Sequence, residues 1–466
     1  MEKILSQLMR VGVYDWFMPV HLSLTTHPLF REPRELMERV HCPSCRVSFA
    51  PSEVLFVAED ARLVGDPVAG PVQQLRFLPT RFDVGGAALD PEGTRCTRVA
   101  CPRCRIEFPR AMIELPSAFI SVVGAPGCGK SHLLAAMTWG LRRERARAGA
   151  CMVDTEPKLN ARLHRDENIL FGAPDSNEIV RLAKTEISGD ALLYRTARVK
   201  GKEETLPLPL IFTLHTGAQA LGELANSELA NSELDMAAPV KHEASLVVLY
   251  DNAGEHFLPG ADESTQPVTR HLSQSRAILF VFDPTQDPRF RAAVGMSENG
   301  SASIRQDLVL TETFTRVRHH RSRHAADDLD VPLILVLSKA DAWSKAANID
   351  LSVEPYLPSG GLDFAALKKM DHALRPLLEG ACPEFMTAVR AASSRVLIVP
   401  CSALGPCATA DVGADIGADI GADIGVGVTR GVGVRPSEIR PQWASVALLA
   451  SLPLEVDAIQ NASLWI

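Results

Sequence analysis

Residues 124–131 are the segment whose residue types most clearly predict chemistry. They read Gly124-Ala125-Pro126-Gly127-Cys128-Gly129-Lys130-Ser131, a complete G-x-x-x-x-G-K-S pattern, and His132 follows. In this pattern the glycines let backbone N–H groups face phosphate oxygens, the lysine adds positive charge at the β- and γ-phosphates, and the serine hydroxyl binds Mg²⁺. The sequence therefore predicts a nucleotide-binding loop over 124–132, with Lys130 stabilising charge on the γ-phosphate and Ser131 holding Mg²⁺.

The flanks of this loop are those that the pattern requires. Residues 118–123 form a short apolar run typical of a buried strand, and residues 131–147 have helical periodicity. The alternative is a glycine turn that binds no ligand, and the context of a strand before and a helix after the complete pattern argues against it. We therefore expect a strand–loop–helix unit.

A second pattern follows the apolar run 246–250. It reads Asp251-Asn252-Ala253-Gly254-Glu255, a D-x-x-G sequence at the end of a predicted strand. We expect Asp251 to hold Mg²⁺ through water, the Gly254 N–H to contact the γ-phosphate and Glu255 to position the attacking water.

Two further segments predict the base. Ser338-Lys339-Ala340-Asp341 follows the apolar run 332–337, and Ser402-Ala403 follows the run 395–400. A carboxylate at Asp341 accepts hydrogen bonds from the N1–H and the exocyclic amine of guanine, whereas adenine would leave that buried acceptor unpaired. The stem of Lys339 would cover the base, and a backbone N–H at Ser402-Ala403 would contact the guanine O6. These residues predict GTP and GDP as ligands, rather than ATP.

The chain has 10 cysteines, and four of them form two C-P-x-C pairs, Cys42 with Cys45 and Cys101 with Cys104. Two such turns supply the four thiolates of a tetrahedral zinc site, which is structural because it leaves no open coordination position. Cys96 is an alternative ligand and His41 a weaker one. The other interpretation is four buried, reduced cysteines.

The arrangement of apolar runs predicts an α/β fold. The runs 118–123, 246–250, 277–282, 332–337 and 395–400 have the length of buried parallel strands, whereas 46–100 has short strands and turns. We predict an N-terminal extension over 1–40, a small β-rich zinc module over 41–116 and a doubly wound α/β domain over 117–466. Inserts are expected near 150–245 and 405–435, where repeats at 222–234 and 413–425 lie outside the site.

Composition restricts the class of protein further. With 48 Lys+Arg against 56 Asp+Glu, the net charge is −8, which argues against bulk binding to nucleic acid or anionic membranes. No apolar run approaches the roughly 20 residues of a membrane span, and the N-terminus lacks a signal-peptide pattern. We expect a cytoplasmic protein with no membrane partner. The basic run 316–324 is interpreted as a solvated helix end.

The order of the four nucleotide patterns resembles that of the TRAFAC-type, Ras-like P-loop GTPases over most of 117–466. The sequences DNAGEHF (251–257) and FDPTQDPRF (282–290), with a zinc module in front, are most similar to the bacterial double-GTPase family. The resemblance implies a Ras-like P-loop fold and a Mg²⁺-dependent GTPase that acts as a switch. It also implies a place in multi-gene conflict systems, with partner GTPases or regulators.

Two departures from the family pattern and the choice of the first-switch threonine leave alternatives open. Ser338 replaces the usual Asn or Thr, and Glu255 stands where many relatives carry Gln, so we expect slow intrinsic hydrolysis. Thr205, just ahead of a candidate strand at 208–215, is the predicted first-switch Mg²⁺ ligand, with Thr196 as the alternative. An ATPase of the same fold and a non-hydrolysing, nucleotide-dependent adaptor are the rival functions.

Overall fold

The structure is a computed structural model that describes residues 36–84, 86–147, 151–182, 193–216, 243–252, 254–257, 267–296, 304–321, 329, 331–357, 361–406 and 433–452. The N-terminal extension up to residue 35, both repeats and the side chain of Glu255 lie outside these residues. The chain divides into residues 1–36 and a compact unit of residues 37–466. All of the strands and helices of the described residues belong to the second unit.

The N-terminal part of this unit is rich in short strands, as the sequence predicts. They are β1 Val40–His41, β2 Ser48–Phe49, β3 Leu55–Val57, β4 Val64–Asp66, β5 Gly70–Gln74, β6 Arg76–Phe77, β7 Ala88–Leu89, β8 Arg95–Cys96, β9 Val99–Ala100 and β10 Glu107–Phe108. Strands β10, β9, β3 and β6 form one antiparallel sheet in that order, and β1–β2, β4–β5 and β7–β8 are separate hairpins. Strands this short bury little apolar surface, so further contacts must stabilise the region.

The larger sheet holds all five predicted buried strands. In chain order, the strands of the remaining described part are β11 Ser117–Gly124, β12 Cys151–Asp154, β13 Tyr194–Val199, β14 Lys202–Pro207, β15 Leu210–Thr216, β16 Glu243–Asp251, β17 Ala277–Phe282, β18 Leu333–Leu337 and β19 Val396–Pro400. The sheet runs β12-β15-β16-β11-β17-β18-β19, while β13 and β14 form a hairpin apart from it. Strands β16, β11, β17, β18 and β19 are mutually parallel, and β15 is antiparallel to both neighbours.

Helices cover this sheet. The α-helices of the described residues are α1 Ala111–Glu114, α2 Lys130–Arg147, α3 Ala161–Phe171, α4 Pro288–Ala293, α5 Gln306–His320, α6 Ala340–Trp343, α7 Phe364–Ala381, α8 Pro383–Ala392 and α9 Val446–Ser451. Every residue of β17, β18 and β19 is buried, which means that both faces of these strands are covered. Phe282 of β17, for example, stacks on Phe385 of α8 with ring centroids 4.0 Å apart. The α/β class predicted from the apolar runs is confirmed.

The sheet brings the ends of five parallel strands to one edge. Strands β16, β11, β17, β18 and β19 end at Asp251, Gly124, Phe282, Leu337 and Pro400. The chain leaves β11 for β15 and β16 on one side and then crosses to β17 on the other. In open α/β sheets, ligands bind beyond the carboxyl ends of the strands at such a change of direction. The predicted motifs all lie directly after these strand ends.

Helix α5 corrects one prediction. The interpretation of the run from Arg316 as a solvated helix end is wrong for Arg316, which is fully buried in α5, with its guanidinium 5.4 Å from the centroid of the Phe257 ring. Its Nε donates to Glu312 at 2.9 Å, one turn earlier in the helix, which partly offsets the cost of burying the charge. Within the described part of the chain, none of the helices is long and apolar enough to cross a membrane.

Candidate functional site

The loop after β11 has a backbone that requires glycine. Gly127 and Gly129 have φ of +73° and +96°, in the left-handed region where side chains are strained. A Cβ on Gly124 would lie 2.5 Å from the Val281 carbonyl oxygen of β17, so this position has no room for a side chain. The Lys130 ammonium donates to the carbonyl oxygens of Gly124 and Ala125 at 2.9 and 3.0 Å. The predicted phosphate loop thus curls around its own lysine.

Gly254 packs directly against this loop. A Cβ on Gly254 would lie 2.7 Å from both the Gly124 carbonyl oxygen and the Pro126 nitrogen. The residue is buried and begins a short 3₁₀ helix, Gly254–Phe257. The structure therefore brings the D-x-x-G segment and the glycine-rich loop into contact, although 130 positions separate Gly124 from Gly254 (254 − 124).

Two of the three predicted Mg²⁺ ligands line one small cavity. Ser131 and Asp251 share it with Arg162 and Asp166 of α3. A serine hydroxyl and two carboxylates are oxygen donors of the kind that Mg²⁺ prefers, so the residues present fit this metal. The carboxylate of Asp251 is paired with the Arg162 guanidinium at 2.9 Å, and burial raises the pKa of Asp166.

Sequence reasoning missed the contribution of α3. Its Glu167 accepts hydrogen bonds from Thr138 Oγ1 at 2.7 Å and Arg142 Nη1 at 2.8 Å, both on α2. These two bonds, of which the first is buried, fix α3 against the helix that begins in the phosphate loop. The sequence signal was only the four-residue spacing of Arg162 and Asp166, which also occurs on many solvated helices.

The threonines predicted for the first switch lie elsewhere. Thr196 and Thr205 are cross-strand partners in the β13–β14 hairpin, and Thr205 is exposed. Neither lines the cavity of Ser131 and Asp251, although Leu193 and Leu208 do; these two residues flank the open end of the hairpin, opposite its turn. This structure does not bring either hydroxyl to the predicted Mg²⁺ ligands.

The predicted base-binding residues do come together. The Ser402 hydroxyl donates to the Asp341 carboxylate, and the Ala340 N–H donates to the Cys401 carbonyl oxygen at 3.0 Å, which joins the two loops. Lys339 has a left-handed φ of +52°, and its side chain is 39% exposed. Half-exposed Ala403 follows Ser402 in the same loop.

Two residues that the sequence did not single out connect the base-binding loops with the phosphate loop. Asp283, directly after β17, pairs with the Lys339 ammonium at 2.6 Å. Gln286 donates from Nε2 to the Pro126 carbonyl oxygen at 3.4 Å. Both belong to the sequence 282–290 that carries part of the family resemblance, but nothing in the sequence indicated their partners.

Two side chains of the segment 124–132 are shielded from solvent to different degrees, Cys128 completely and His132 in part. Cys128 is fully buried, and burial raises the pKa of its thiol, so it is not an exposed reactive cysteine. Burial, with a smaller contribution from Lys339, lowers the pKa of His132 to about 4. The neutral His132 has no hydrogen-bond partner at Nε2 among the described residues.

The four paired cysteines form one buried cluster. Their sulfur atoms all lie within 4.8 Å of one another, and the distances from Cys42 to Cys104 and from Cys45 to Cys101 are both 3.7 Å. Sulfur atoms of a disulfide would be about 2 Å apart, whereas metal–sulfur bonds of about 2.3 Å place the ligands of a tetrahedral zinc about 3.8 Å apart. The predicted cluster is confirmed, with distances compatible with a bound zinc ion.

The two halves of the cluster have the same backbone. Arg46 and Arg105, each following the second cysteine of its pair, both have φ of +62°. In each half the N–H of that arginine donates to the carbonyl oxygen of the first cysteine at 3.1 Å. Backbone N–H groups also donate to the sulfur atoms of Cys42 and Cys101, at 3.4 and 3.3 Å.

The alternative ligands are not in the cluster. Cys96 is buried, but its sulfur lies 3.5 Å from the Thr94 carbonyl oxygen and is not among the four clustered sulfur atoms. His41 packs edge-on against Phe119 instead. The pairs Cys42–Cys45 and Cys101–Cys104 supply all four candidate ligands in the described part of the chain.

The first cysteine turn contacts the strand that ends at Asp251. Buried Tyr250 donates from Oη to the Pro43 carbonyl oxygen at 2.6 Å and accepts from Arg46 Nη1 at 3.3 Å. The Arg46 guanidinium lies 3.5 Å from the centroid of the Phe119 ring on β11. Burial raises the pKa of Tyr250 to about 12, so its hydroxyl remains a donor.

Tyr250 is also stacked on a histidine that holds the next segment. The rings of Tyr250 and His271 are 4.1 Å apart, and burial lowers the pKa of His271 well below its usual value. Because Asn252 Nδ2 donates to His271 Nε2 at 2.8 Å, the proton of this neutral ring lies on Nδ1 and is donated to Ser121 Oγ at 2.7 Å. Asp251 therefore lies between two buried residues with fixed partners.

Comparison with known proteins gave no relatives: no protein-family model matches the chain, and no curated protein matches it either.

Proposed function

We propose that this protein is a GTP-binding, Mg²⁺-dependent GTPase with a Ras-like P-loop fold that acts as a nucleotide-controlled switch. The observation that carries the proposal is the position of the four sequence motifs at the carboxyl ends of adjacent parallel strands, where β16 and β17 flank β11. This is the place where open α/β sheets bind ligands. The close approach of Gly254 to Gly124 also supports the proposal, since two motifs that are far apart in the sequence meet there.

Each motif has its own part in the proposed reaction. The loop 124–132 binds the triphosphate, with Lys130 stabilising charge on the γ-phosphate. Ser131 and Asp251 would hold Mg²⁺, whose positive charge offsets that of the phosphate oxygens. A water molecule held near Gly254 and Glu255 attacks the γ-phosphorus. The bond between the γ-phosphorus and the oxygen that bridges it to the β-phosphate breaks, which gives GDP and phosphate.

Selection of guanine rests on Asp341. Its carboxylate accepts from the Ser402 hydroxyl and has further acceptor capacity for the two guanine donors. Lys339, placed by its left-handed backbone and its pair with Asp283, would cover the base. The resulting preference for GTP over ATP depends on the Asp341 carboxylate.

The cysteine cluster and the biological role complete the proposal. Four buried sulfur atoms at tetrahedral spacing favour a structural Zn²⁺, because burial raises the pKa of the Cys42 thiol and a cation is needed to keep thiolates there. The resemblance of residues 251–257 and 282–290 to the bacterial double-GTPase family is the reason to propose a cytoplasmic role in a conflict system, with a partner GTPase or regulators.

Nucleotide affinity tests the function most directly. We expect wild-type protein to bind fluorescent GTP more tightly than ATP, and Asp341→Ala to lose about 100-fold or more of that preference. Asp350→Ala is the matched control, because Asp350 is an exposed aspartate a few residues further along the chain. Lys130→Ala should abolish single-turnover hydrolysis.

Other results would select a rival function. Tighter binding of ATP, unchanged in Asp341→Ala, would contradict guanine selection and favour the ATPase. GTP binding without hydrolysis, even with candidate partners present, would favour the adaptor. Metal analysis should give about one Zn²⁺ per chain.

A further inference from the structure

Arg162 occupies the nucleotide site although no sequence motif includes it. Its guanidinium pairs with Asp251 at 2.9 Å, and the two side chains are 8% and 5% exposed. A carboxylate this buried requires a cation beside it. In this structure that cation is Arg162.

The same side chain lies at the phosphate loop. Arg162 lines the cavity that contains Ser131, the residue directly after Lys130. Helix α3 cannot easily carry it away, since Glu167 is bonded to both Thr138 and Arg142 of α2. Helix α3 thus holds the guanidinium near the predicted position of the nucleotide, and α3 is itself bonded to α2, which starts in the phosphate loop.

We propose that Arg162 is a catalytic cation supplied by this chain itself: when GTP and Mg²⁺ bind, its guanidinium leaves Asp251 and contacts the terminal phosphate. This inference rests on the proposed nucleotide site. A divalent cation at Asp251 would repel the guanidinium, which must then pair with another anion. The anion that arrives with the metal is the triphosphate, and the planar guanidinium binds phosphate oxygens with two parallel hydrogen bonds.

The test compares triphosphate and diphosphate affinity. Arg162→Met removes the charge at similar volume, and Arg162→Lys keeps the charge beside Asp251 but loses the planar fork. We expect both variants to lose at least about 10-fold in affinity for a non-hydrolysable GTP analogue relative to GDP, and Arg162→Met to slow single-turnover hydrolysis by about 1,000-fold. Lys158→Met is the control, because Lys158, just before this helix, is 66% exposed and pairs with Glu156 rather than with a residue of the cavity.

The outcomes separate this inference from the proposed function. An unchanged ratio of GTP-analogue to GDP affinity in both variants would overturn the role of Arg162 while leaving nucleotide binding intact. Tighter binding of Mg²⁺ and GTP by Arg162→Met would also overturn it, since Arg162 would then only compete with the metal. If wild type binds no guanine nucleotide, the proposed function itself fails. Because Arg162→Lys retains the cation that Asp251 needs, it serves as the variant that folds if Arg162→Met does not.

Discussion

The Tyr250 hydroxyl donates a 2.6 Å hydrogen bond to the Pro43 carbonyl oxygen, between the first two cysteines of the cluster. Asp251 is the next residue of β16, and side chains of neighbouring strand residues point to opposite faces. One strand end is therefore attached to the cysteine cluster through Tyr250 and faces the phosphate loop through Asp251. The two candidate sites share this strand.

Removing the Tyr250 hydroxyl tests this connection. Tyr250→Phe keeps the stacking on His271 but leaves the buried Pro43 carbonyl oxygen without its donor. We expect the free energy of unfolding to fall by about 1–3 kcal/mol, measured by urea denaturation. Unchanged stability would show that water or another donor replaces the hydroxyl.

Metal removal tests the cluster itself. Cys42→Ser combined with Cys104→Ser removes two of the four sulfur ligands and should abolish bound zinc, with a marked loss of thermal stability. Cys96→Ser is the matched control. Cys96 is buried and close in sequence to the second cysteine pair, but it lies outside the cluster. Loss of metal in the control alone would contradict the ligand set.

Because Gly254 packs closely against the phosphate loop, adding a single methyl group at this position should weaken nucleotide binding. Gly254→Ala places a Cβ 2.7 Å from the Gly124 carbonyl oxygen, so the two segments must move apart. We expect nucleotide affinity to fall by about 10-fold or more, on the order of 1–2 kcal/mol, as measured with a fluorescent GTP analogue. Gly380→Ala, in α7, is the control: its Cβ meets no atom within 4 Å, and alanine favours a helix.

Half-buried His132, whose Nε2 is shielded from solvent, predicts a dependence of stability on acid pH. Its pKa is about 4 in the folded protein against an ordinary 6.5, so the unfolded chain takes up the proton first as the pH falls. Folding stability should therefore decrease from about pH 6.5 towards pH 4, with up to about 3 kcal/mol from this group.

His132→Gln removes that contribution and checks the sign. Its free energy of unfolding should fall less steeply over this pH range than that of wild type, in matched chemical denaturations. Above about pH 7 the difference between the two proteins should be independent of pH, because the imidazole is neutral in both states. A slope identical to that of wild type would contradict the lowered pKa of His132 in the folded protein.

The sequence predicted the parts of this protein that depend on local patterns. Apolar runs of strand length located β11, β17, β18 and β19, because a strand covered on both faces needs apolar residues at nearly every position. The G-x-x-x-x-G-K-S segment predicted a glycine-dependent loop, and two residues in it have left-handed backbones. The paired cysteines predicted their cluster, since each turn presents two sulfur atoms by itself.

Only the tertiary structure decided which distant residues meet. Arg162 and Asp251 are 89 positions apart, Pro43 and Tyr250 are 207 apart, and neither pair has a spacing pattern that marks it. The sheet order and the packing of α3 on α2 create these contacts, and both depend on the whole chain. Tertiary structure also decided which predicted ligands are not used. Cys96 has a suitable side chain but lies outside the cysteine cluster. Thr205 has a suitable hydroxyl but lies at an exposed position of the β13–β14 hairpin.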